Sequence, residues 1–232
     1  MADITTPITT PITTPKIAGK LKKAKHFFIH NIASKVTPHI PWFFYNVFRP
    51  KNIIIELTNV CNLKCPVCPT SQNMQRKRGF LSYENFVKII DQVKCFKPHI
   101  MMNFAGEPLM NKDVFRMTAY AHEQGLYTMI STNATFLDKF GDEIFDSGLD
   151  ALIVCLDGAS KISHEFYRIG SNFEQVKSNI KKLCQRKKEL NAKNPIITLQ
   201  TLVTRRSENE FPEIIAMAHE LGVDILSLKT IS

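Results

Sequence analysis

The 232-residue sequence lacks the features that mark membrane-spanning and secreted proteins. No apolar stretch approaches the roughly 20 residues that a helix needs to cross a bilayer. Near the first residue there is no charged stretch followed by an apolar core and a small-residue cleavage site, which is the pattern of a secretory leader. The sequence therefore predicts a cytoplasmic protein.

Acidic residues are missing from one long stretch near the N-terminus. Residues 4–55 contain eight Lys and Arg residues and no Asp or Glu, whereas residues 56–232 contain 22 basic and 20 acidic residues. The formal net charge of +9 therefore belongs mainly to the N-terminal stretch. Because residues 56–232 are nearly neutral, we expect no nucleic acid as a partner of this part.

Residues 1–50 are predicted to form an N-terminal extension to a domain of residues 51–232. A Thr-Thr-Pro-Ile repeat fills residues 5–15 and has neither the bulk nor the periodicity to pack, so residues 1–18 are predicted to be disordered. Residues 19–48 combine four lysines at 20–25 with seven aromatic residues and are predicted to form short helices. These helices either pack on the domain or lie on an anionic membrane surface, which would make the protein peripheral to a membrane.

A disulfide framework is also not expected. Of the six cysteines, three are clustered and three are scattered in apolar or helical surroundings: Cys95, Cys155 and Cys184. Such a distribution is typical of a reducing compartment. The cluster is Cys61, Cys65 and Cys68, with C-x3-C-x2-C spacing. Three thiolates leave a four-coordinate ion or a four-iron cluster one ligand short, so the motif predicts a metal centre with an open position for chemistry.

Apolar β-rich runs alternate with helical patterns along the rest of the chain. The predicted strands are 53–58, 99–104, 127–131, 151–156, 196–203 and 224–229. Helices are predicted at 83–93, 113–123 and 137–146, and two more begin at the capping boxes of Ser171 with Glu174 and Ser207 with Glu210. This alternation is typical of parallel sheets built from βαβ units. The predicted fold is α/β, a partial (β/α)6 TIM-like barrel.

Polar motifs follow the predicted strands. The cysteine loop follows the first strand, Gly106 and Glu107 follow the second, Ser131 and Asn133 close the third, and Asp157 follows the fourth. In α/β barrels the active site lies at the carboxyl ends of the strands. We therefore expect these motifs to meet on one rim.

The cysteine motif closely resembles the signature of the radical S-adenosylmethionine (radical SAM) enzymes. The resemblance implies that Cys61, Cys65 and Cys68 hold a [4Fe-4S] cluster whose fourth iron chelates S-adenosylmethionine. Reductive cleavage of that cofactor would yield a 5′-deoxyadenosyl radical that abstracts hydrogen from a substrate. The family commonly has an aromatic residue just before the third cysteine, where this chain has Val67.

Two later motifs extend the resemblance. Ala105-Gly106-Glu107-Pro108 is similar to the family's Gly-Gly-Glu-Pro motif, and the stretch from Cys155 to Gly158, followed by Arg168, is similar to its Ser-Leu-Asp-Gly strand and downstream arginine. The resemblance implies that Gly106, Glu107 and Arg168 bind the methionine moiety.

It also implies that Ser131, Asn133 and Asp157 lie near the adenosine. For Ser131 and Asn133, helix capping is an equally good interpretation. Cys155 replaces the family's serine, so a hydrogen bond to ribose would be weakened or lost.

The implied function is that of a radical SAM enzyme, an oxidoreductase or transferase, acting on a peptide, carbohydrate or cofactor precursor. Its partners would be that small-molecule or peptide substrate and an electron donor such as flavodoxin or ferredoxin. The branch that this chain resembles often continues into a cysteine-rich (SPASM/twitch) domain, so the chain is either a compact enzyme or part of a longer one. The alternative is a zinc- or cluster-binding scaffold without radical activity.

Overall fold

Six parallel strands form the centre of the protein. The computed structural model describes residues 49–72 and 74–230. The strands are Asn52–Ile54 (β1), His99–Met101 (β2), Thr128–Thr132 (β3), Ala151–Cys155 (β4), Ile196–Val203 (β5) and Ile225–Thr230 (β6). They form one sheet in chain order, and every neighbouring pair is parallel. Because parallel neighbours need long crossover connections, helices lie between the strands.

The helices of the described residues occupy each of these crossovers. They are Tyr83–Val93 (α1), Val114–Glu123 (α2), Glu143–Asp146 (α3), Lys161–Tyr167 (α4), Phe173–Glu189 (α5) and Phe211–Leu221 (α6). Short 3-10 turns at Lys94–Phe96, Pro108–Met110 and Leu137–Lys139 complete the connections. The alternation of strand and helix agrees with the predicted α/β class.

Helix α1 shows how the local sequence determines an element. Ser82 caps the helix, because its side-chain oxygen accepts a hydrogen bond from the Asn85 N–H. Phe86 and Ile90 are four residues apart, so they lie on one face, and both are completely buried. Both α1 and β5 have the predicted bounds.

The predicted capping boxes are wrong. Helix α5 is capped by Asn172, one residue after Ser171, and Ser171 instead makes a hydrogen bond of 2.9 Å to His164. Glu210 does not fold back on its own helix α6. Its carboxylate accepts hydrogen bonds from Ala159 N–H (2.7 Å) and from the Ser163 hydroxyl (2.7 Å), at the start of α4.

Strands β1 and β2 end earlier than predicted, and two helical elements also differ from the prediction. Residues 137–146 form two separate short pieces, and between them Gly141 has a φ of 49°, which interrupts a continuous helix. Helix α4 was not predicted at all. Its apolar residues Ile162 and Phe166 are 76% and 56% exposed, so the helix gives no buried apolar stripe for the sequence pattern to reveal.

The hydrophobic core lies between the sheet and the surrounding helices. Its largest completely buried side chains come from both layers, including Phe86, Met102, Met117, Ile130 and Leu152. In the described part of the chain, no helix combines the length and the apolar character that crossing a bilayer requires. The predicted disordered segment and the short helices of the extension fall at residues 1–48, outside the described residues.

Candidate functional site

A cavity of about 460 Å³ opens at the carboxyl ends of the strands. The loop after β1 forms one wall, and residues from the ends of the other strands complete it. All nine residues singled out from the sequence line this cavity: Cys61, Cys65, Cys68, Gly106, Glu107, Ser131, Asn133, Asp157 and Arg168. The expectation that the polar motifs meet on one rim is confirmed.

The loop that carries the cysteines is fixed to the protein at several points. Leu63, inside the motif, is almost completely buried. The Lys64 N–H donates to the Ile169 carbonyl (2.9 Å), just beyond α4, and the Glu107 N–H donates to the Val60 carbonyl (2.8 Å). Backbone hydrogen bonds of this kind hold the loop without any metal ligand.

The three thiols are free and face the cavity. Burial raises the pKa of the Cys61 thiol, and it raises that of Cys65 to about 11 although Arg168 opposes the rise. In residues 49–72 and 74–230, no three His, Cys, Asp or Glu side chains already stand at metal-binding distances. Binding a metal centre would therefore require the side chains to converge and lose their protons.

The donor chemistry around Cys61 nevertheless fits a thiolate-bound centre. The Leu63 N–H points at the Cys61 sulfur (3.4 Å), and the Asn133 side-chain amide lies 3.9 Å from the same atom. Hydrogen bonds from N–H groups favour the charged form of an acidic group. Three thiols on one short loop, with such donors nearby, suit the three-thiolate ligation of an iron–sulfur cluster.

Gly106 lies directly beneath the cysteine loop. Its φ is 79°, in the left-handed region, and a Cβ atom at this position would overlap the carbonyl oxygens of Thr58 and Val60. Only glycine permits both the conformation and the close approach. The structure thus explains why residue 106 is a glycine: a larger residue would push the start of the cysteine loop away from the turn after β2.

The Glu107 carboxylate is buried, lines the cavity and accepts hydrogen bonds from the protein at both oxygens. It accepts hydrogen bonds from the Thr132 hydroxyl (2.6 Å), the Asn133 N–H (2.8 Å) and the Leu109 N–H (3.1 Å). Burial raises the pKa of Glu107, and these hydrogen bonds oppose that rise. The carboxylate therefore ties the end of β3 to the turn after β2.

Asn133 joins strand β3 to the cysteine loop. Its side-chain amide donates to the Asn62 side-chain oxygen (2.9 Å), while its own oxygen accepts the Thr135 N–H (3.0 Å). The second contact is an Asx turn and not a helix cap, since the next element, Leu137–Lys139, has Phe136 at its N-cap. Ser131 faces the same cavity, where its hydroxyl lies 3.6 Å from the Cys155 sulfur.

Asp157 and Arg168 form a buried ion pair. The Arg168 Nε donates to Asp157 Oδ2 over 2.6 Å, and Asp157 Oδ1 accepts the Leu202 N–H over 2.7 Å. Burial alone would lower the pKa of Arg168, but the charges of Cys155, Asp157 and Cys65 outweigh it and raise the pKa. Among the described residues, the terminal Nη atoms of Arg168 have no hydrogen-bond partner. The guanidinium is thus held at one edge and open to the cavity at the other.

A buried neutral histidine supports this pair. The Asp157 N–H donates to His164 Nδ1 (3.2 Å), so Nε2 carries the proton and donates to Ser171. Burial lowers the pKa of His164 to about 4. His164 is therefore a buried histidine whose two ring nitrogens both have hydrogen-bond partners.

Four further residues of the cavity wall were not predicted from the sequence. Asn103, Phe104, Leu202 and Lys229 also line it. The Asn103 side-chain oxygen is buried with no hydrogen-bond partner among the described residues. Only its position could have identified Asn103 as a site residue, because it lies two residues beyond the end of β2, where site residues are expected.

Known proteins share both the sequence pattern and the fold. A sequence profile of the Radical SAM superfamily matches residues 55–218. The chain is 28% identical over 180 residues to a tungsten-containing aldehyde ferredoxin oxidoreductase cofactor-modifying protein of Pyrococcus furiosus, covering 76% of this chain and 50% of that protein. It is 30% identical over 175 residues to an AdoMet-dependent heme synthase of Methanosarcina barkeri, covering 75% and 48%.

A solved structure shows the same fold. SuiB of Streptococcus suis, crystallised with S-adenosylmethionine, matches with a TM-score of 0.69 at 17% identity, over 94% of this chain and 51% of that one. The prediction of a partial (β/α)6 barrel is thereby confirmed. The chain spans about half the length of the curated relatives it matches.

Proposed function

This chain belongs to the radical SAM superfamily, and from that premise we propose that residues 51–232 are the core domain of a radical SAM enzyme. The family uses a [4Fe-4S] cluster together with S-adenosylmethionine. When bound and reduced, the cluster supplies the electron that splits S-adenosylmethionine to a 5′-deoxyadenosyl radical. In this chain Cys61, Cys65 and Cys68 would hold the cluster.

One observation carries the proposal: the three thiols open into the same cavity as the held guanidinium of Arg168. A cofactor that binds both a metal centre and an arginine needs these groups to face one space. The cavity of about 460 Å³ lies within the range of small-molecule sites, roughly 300–1,000 Å³.

The remaining residues divide into those that can contact the cofactor and those that support others. Arg168 can bind a carboxylate through its terminal nitrogens, because Asp157 fixes its Nε. Ser131 offers a hydroxyl, and the backbone at Gly106 can accept or donate at close range. The Glu107 and Asp157 carboxylates hold neighbouring groups in place, and Glu107 Oε2, which accepts one N–H, keeps an acceptor site for the methionine moiety.

For the substrate, we propose a cofactor precursor in preference to a carbohydrate or peptide. The two curated relatives described above are named for modifying a cofactor and for synthesising heme. Asn103 and Lys229 also line the cavity, and the buried Asn103 oxygen has no hydrogen-bond partner among the described residues. We propose that these two side chains contact the substrate or the cofactor.

We further propose that residues 1–50 are an extension to this core. Its contact with an anionic membrane would be tested by sedimentation with anionic and neutral vesicles.

Anaerobic reconstitution with iron and sulfide tests the function. We expect a brown protein with about four irons per chain that forms 5′-deoxyadenosine from S-adenosylmethionine and dithionite. Cys61→Ala, Cys65→Ala and Cys68→Ala should each abolish both properties, and Cys184→Ala, which changes a buried thiol on α5, should leave them intact. A colourless protein with one zinc, or a brown protein that forms no 5′-deoxyadenosine, would favour the scaffold alternative.

A further inference from the structure

The cysteine loop lies in a stretch of the chain with basic residues and no acidic ones. Residues 57–83 contain no Asp or Glu, and their four basic residues are Lys64, Arg76, Lys77 and Arg78. Residues 56–232 as a whole are nearly neutral, with 22 basic and 20 acidic residues. The positive charge is therefore concentrated locally, around the site of the three thiols.

Side-chain hydrogen bonds fasten the basic segment to the cysteine loop. The Thr58 hydroxyl donates to the Gly79 carbonyl over 2.8 Å. The Asn59 side chain donates to the Lys77 carbonyl over 3.0 Å and accepts the Gly79 N–H over 2.8 Å. These contacts join positions about 20 apart in sequence, so the cations stand beside the loop because the fold places them there.

One of these cations is linked to a thiol through a single residue, Thr70. The Arg78 guanidinium donates to the Thr70 carbonyl over 2.8 Å, and the Thr70 hydroxyl lies 2.9 Å from the Cys68 sulfur. Pro66 and Val67, between the second and third cysteines, are exposed, with Val67 at 52%. Val67 also lines the cavity, so this exposed stretch borders the opening of the site that holds the thiols.

We name the exposed residues Lys64, Pro66, Val67, Lys77 and Arg78 the basic surface. Arg76 is left out because Glu56 neutralises it through two hydrogen bonds of 2.7 and 3.0 Å. The basic surface combines exposed cations with two exposed apolar side chains, a mixture that occurs in protein–protein interfaces. Hydrogen bonds with Asn59 and Thr70 hold the Lys77 and Arg78 segment against the cysteine loop, and the apolar residues favour a protein partner over a nucleic acid, whose backbone binds mainly through charge.

We propose that the basic surface is the docking site of a small acidic one-electron carrier protein. The proposal rests on the proposed function, because a redox centre on the cysteine loop must receive an electron. The reduced carrier would lose one electron here, and the centre held by the three cysteines would gain it. Complementary charge accelerates such encounters. Electron-transfer complexes typically have small interfaces, so a surface of five residues can form the centre of one.

Calorimetric titration with flavodoxin, a small acidic electron carrier, tests the docking site on the reconstituted protein. We expect the K64E/K77E variant to bind flavodoxin about tenfold more weakly at low salt, and the wild-type affinity to fall as salt screens the surface. The matched control is K182E/K193E, which makes the same charge change on exposed residues of α5 and of the loop before β5. That variant should bind flavodoxin like the wild type.

Two measurements separate docking from folding and from catalysis. Iron content should be equal in both double variants, and dithionite, which needs no docking site, should drive 5′-deoxyadenosine formation equally in both. If K64E/K77E takes up less iron, the titration is repeated with the single variant K77E. The Lys77 side chain is not needed to hold the cysteine loop, because Asn59 binds the Lys77 backbone carbonyl.

Three results would overturn the docking site: no flavodoxin binding by the wild type, equal weakening in both double variants, or binding of a single-stranded RNA in place of flavodoxin that K64E/K77E abolishes. Failure of dithionite to yield 5′-deoxyadenosine would overturn the proposed function, while the flavodoxin titration would still decide the docking site.

Discussion

The two buried carboxylates of the cavity differ in the groups that surround them. Glu107, beside β2, accepts three neutral donors from the turn after β2 and the end of β3. Asp157, beside β4, accepts one backbone N–H and the charged Arg168. The first carboxylate therefore holds the backbone, and the second holds a cation at the cavity. Changes on the β2 side should affect folding and metal loading, whereas changes on the β4 side should affect ligand affinity.

The largest effect on the β2 side is expected from Gly106→Ala. The new Cβ would overlap two carbonyl oxygens of the cysteine loop, and the positive φ adds strain. Together these should lower the free energy of unfolding by about 2–5 kcal/mol. Gly125→Ala is the matched control, because Gly125 has a φ of 71° but no atom near the added Cβ, so only the strain of about 1–2 kcal/mol applies. Urea unfolding of the iron-free protein measures both, and equal losses would contradict the seating role of Gly106.

A smaller effect is expected from Glu107→Gln. The neutral amide can no longer accept all three hydrogen bonds, so the free energy of unfolding should fall by about 2–4 kcal/mol. Iron uptake should fall with it, since the Glu107 segment supports the cysteine loop. Glu208→Gln, an exposed change in the turn before α6, should leave stability and iron uptake unchanged. Normal stability together with lost S-adenosylmethionine binding would instead make Glu107 a direct ligand of the cofactor.

On the β4 side, Arg168→Ala should leave iron uptake intact and weaken S-adenosylmethionine binding. Loss of a charge-assisted pair costs about 1.5–3 kcal/mol, or roughly ten- to a hundredfold in affinity. Asp157→Asn should weaken binding less, because the guanidinium remains but is held less firmly. Equilibrium dialysis against the cofactor measures both, with the exposed Arg186→Ala as control. An unchanged dissociation constant for Arg168→Ala would remove it from the site.

A further effect, confined to acidic solution, is a dependence of stability on pH that comes from His164. Its pKa is about 4 in the folded protein and about 6.5 when unfolded. The unfolded chain therefore binds more protons between these values, and the contribution of His164 to stability is lost as pH falls from about 6.5 to 4. The loss should reach about 3 kcal/mol. Comparing wild type with His164→Gln by urea unfolding at several pH values isolates this residue, and parallel curves would contradict a buried neutral histidine.

Much of the fold could be predicted because local patterns carry it. The apolar face of α1 and the apolar run of β5 give their bounds directly, and the strand ends locate the site residues on one rim. Long-range partners could not be predicted. Glu210 caps a helix about 50 residues away, and the carboxylates of Glu107 and Asp157 are satisfied by groups 25 and 45 residues distant. Local sequence records that a side chain is polar but does not identify its partner.

The fastening of the cysteine loop has a consequence for repair after oxygen damage. The loop is held by the Lys64 and Glu107 backbone N–H groups, and Gly106 lets it sit against the sheet. None of these contacts involves sulfur, so a protein stripped of iron should keep a receptive loop whose side chains need only converge. We therefore expect repeated cycles of oxidative loss and reloading of the proposed cluster to require no refolding.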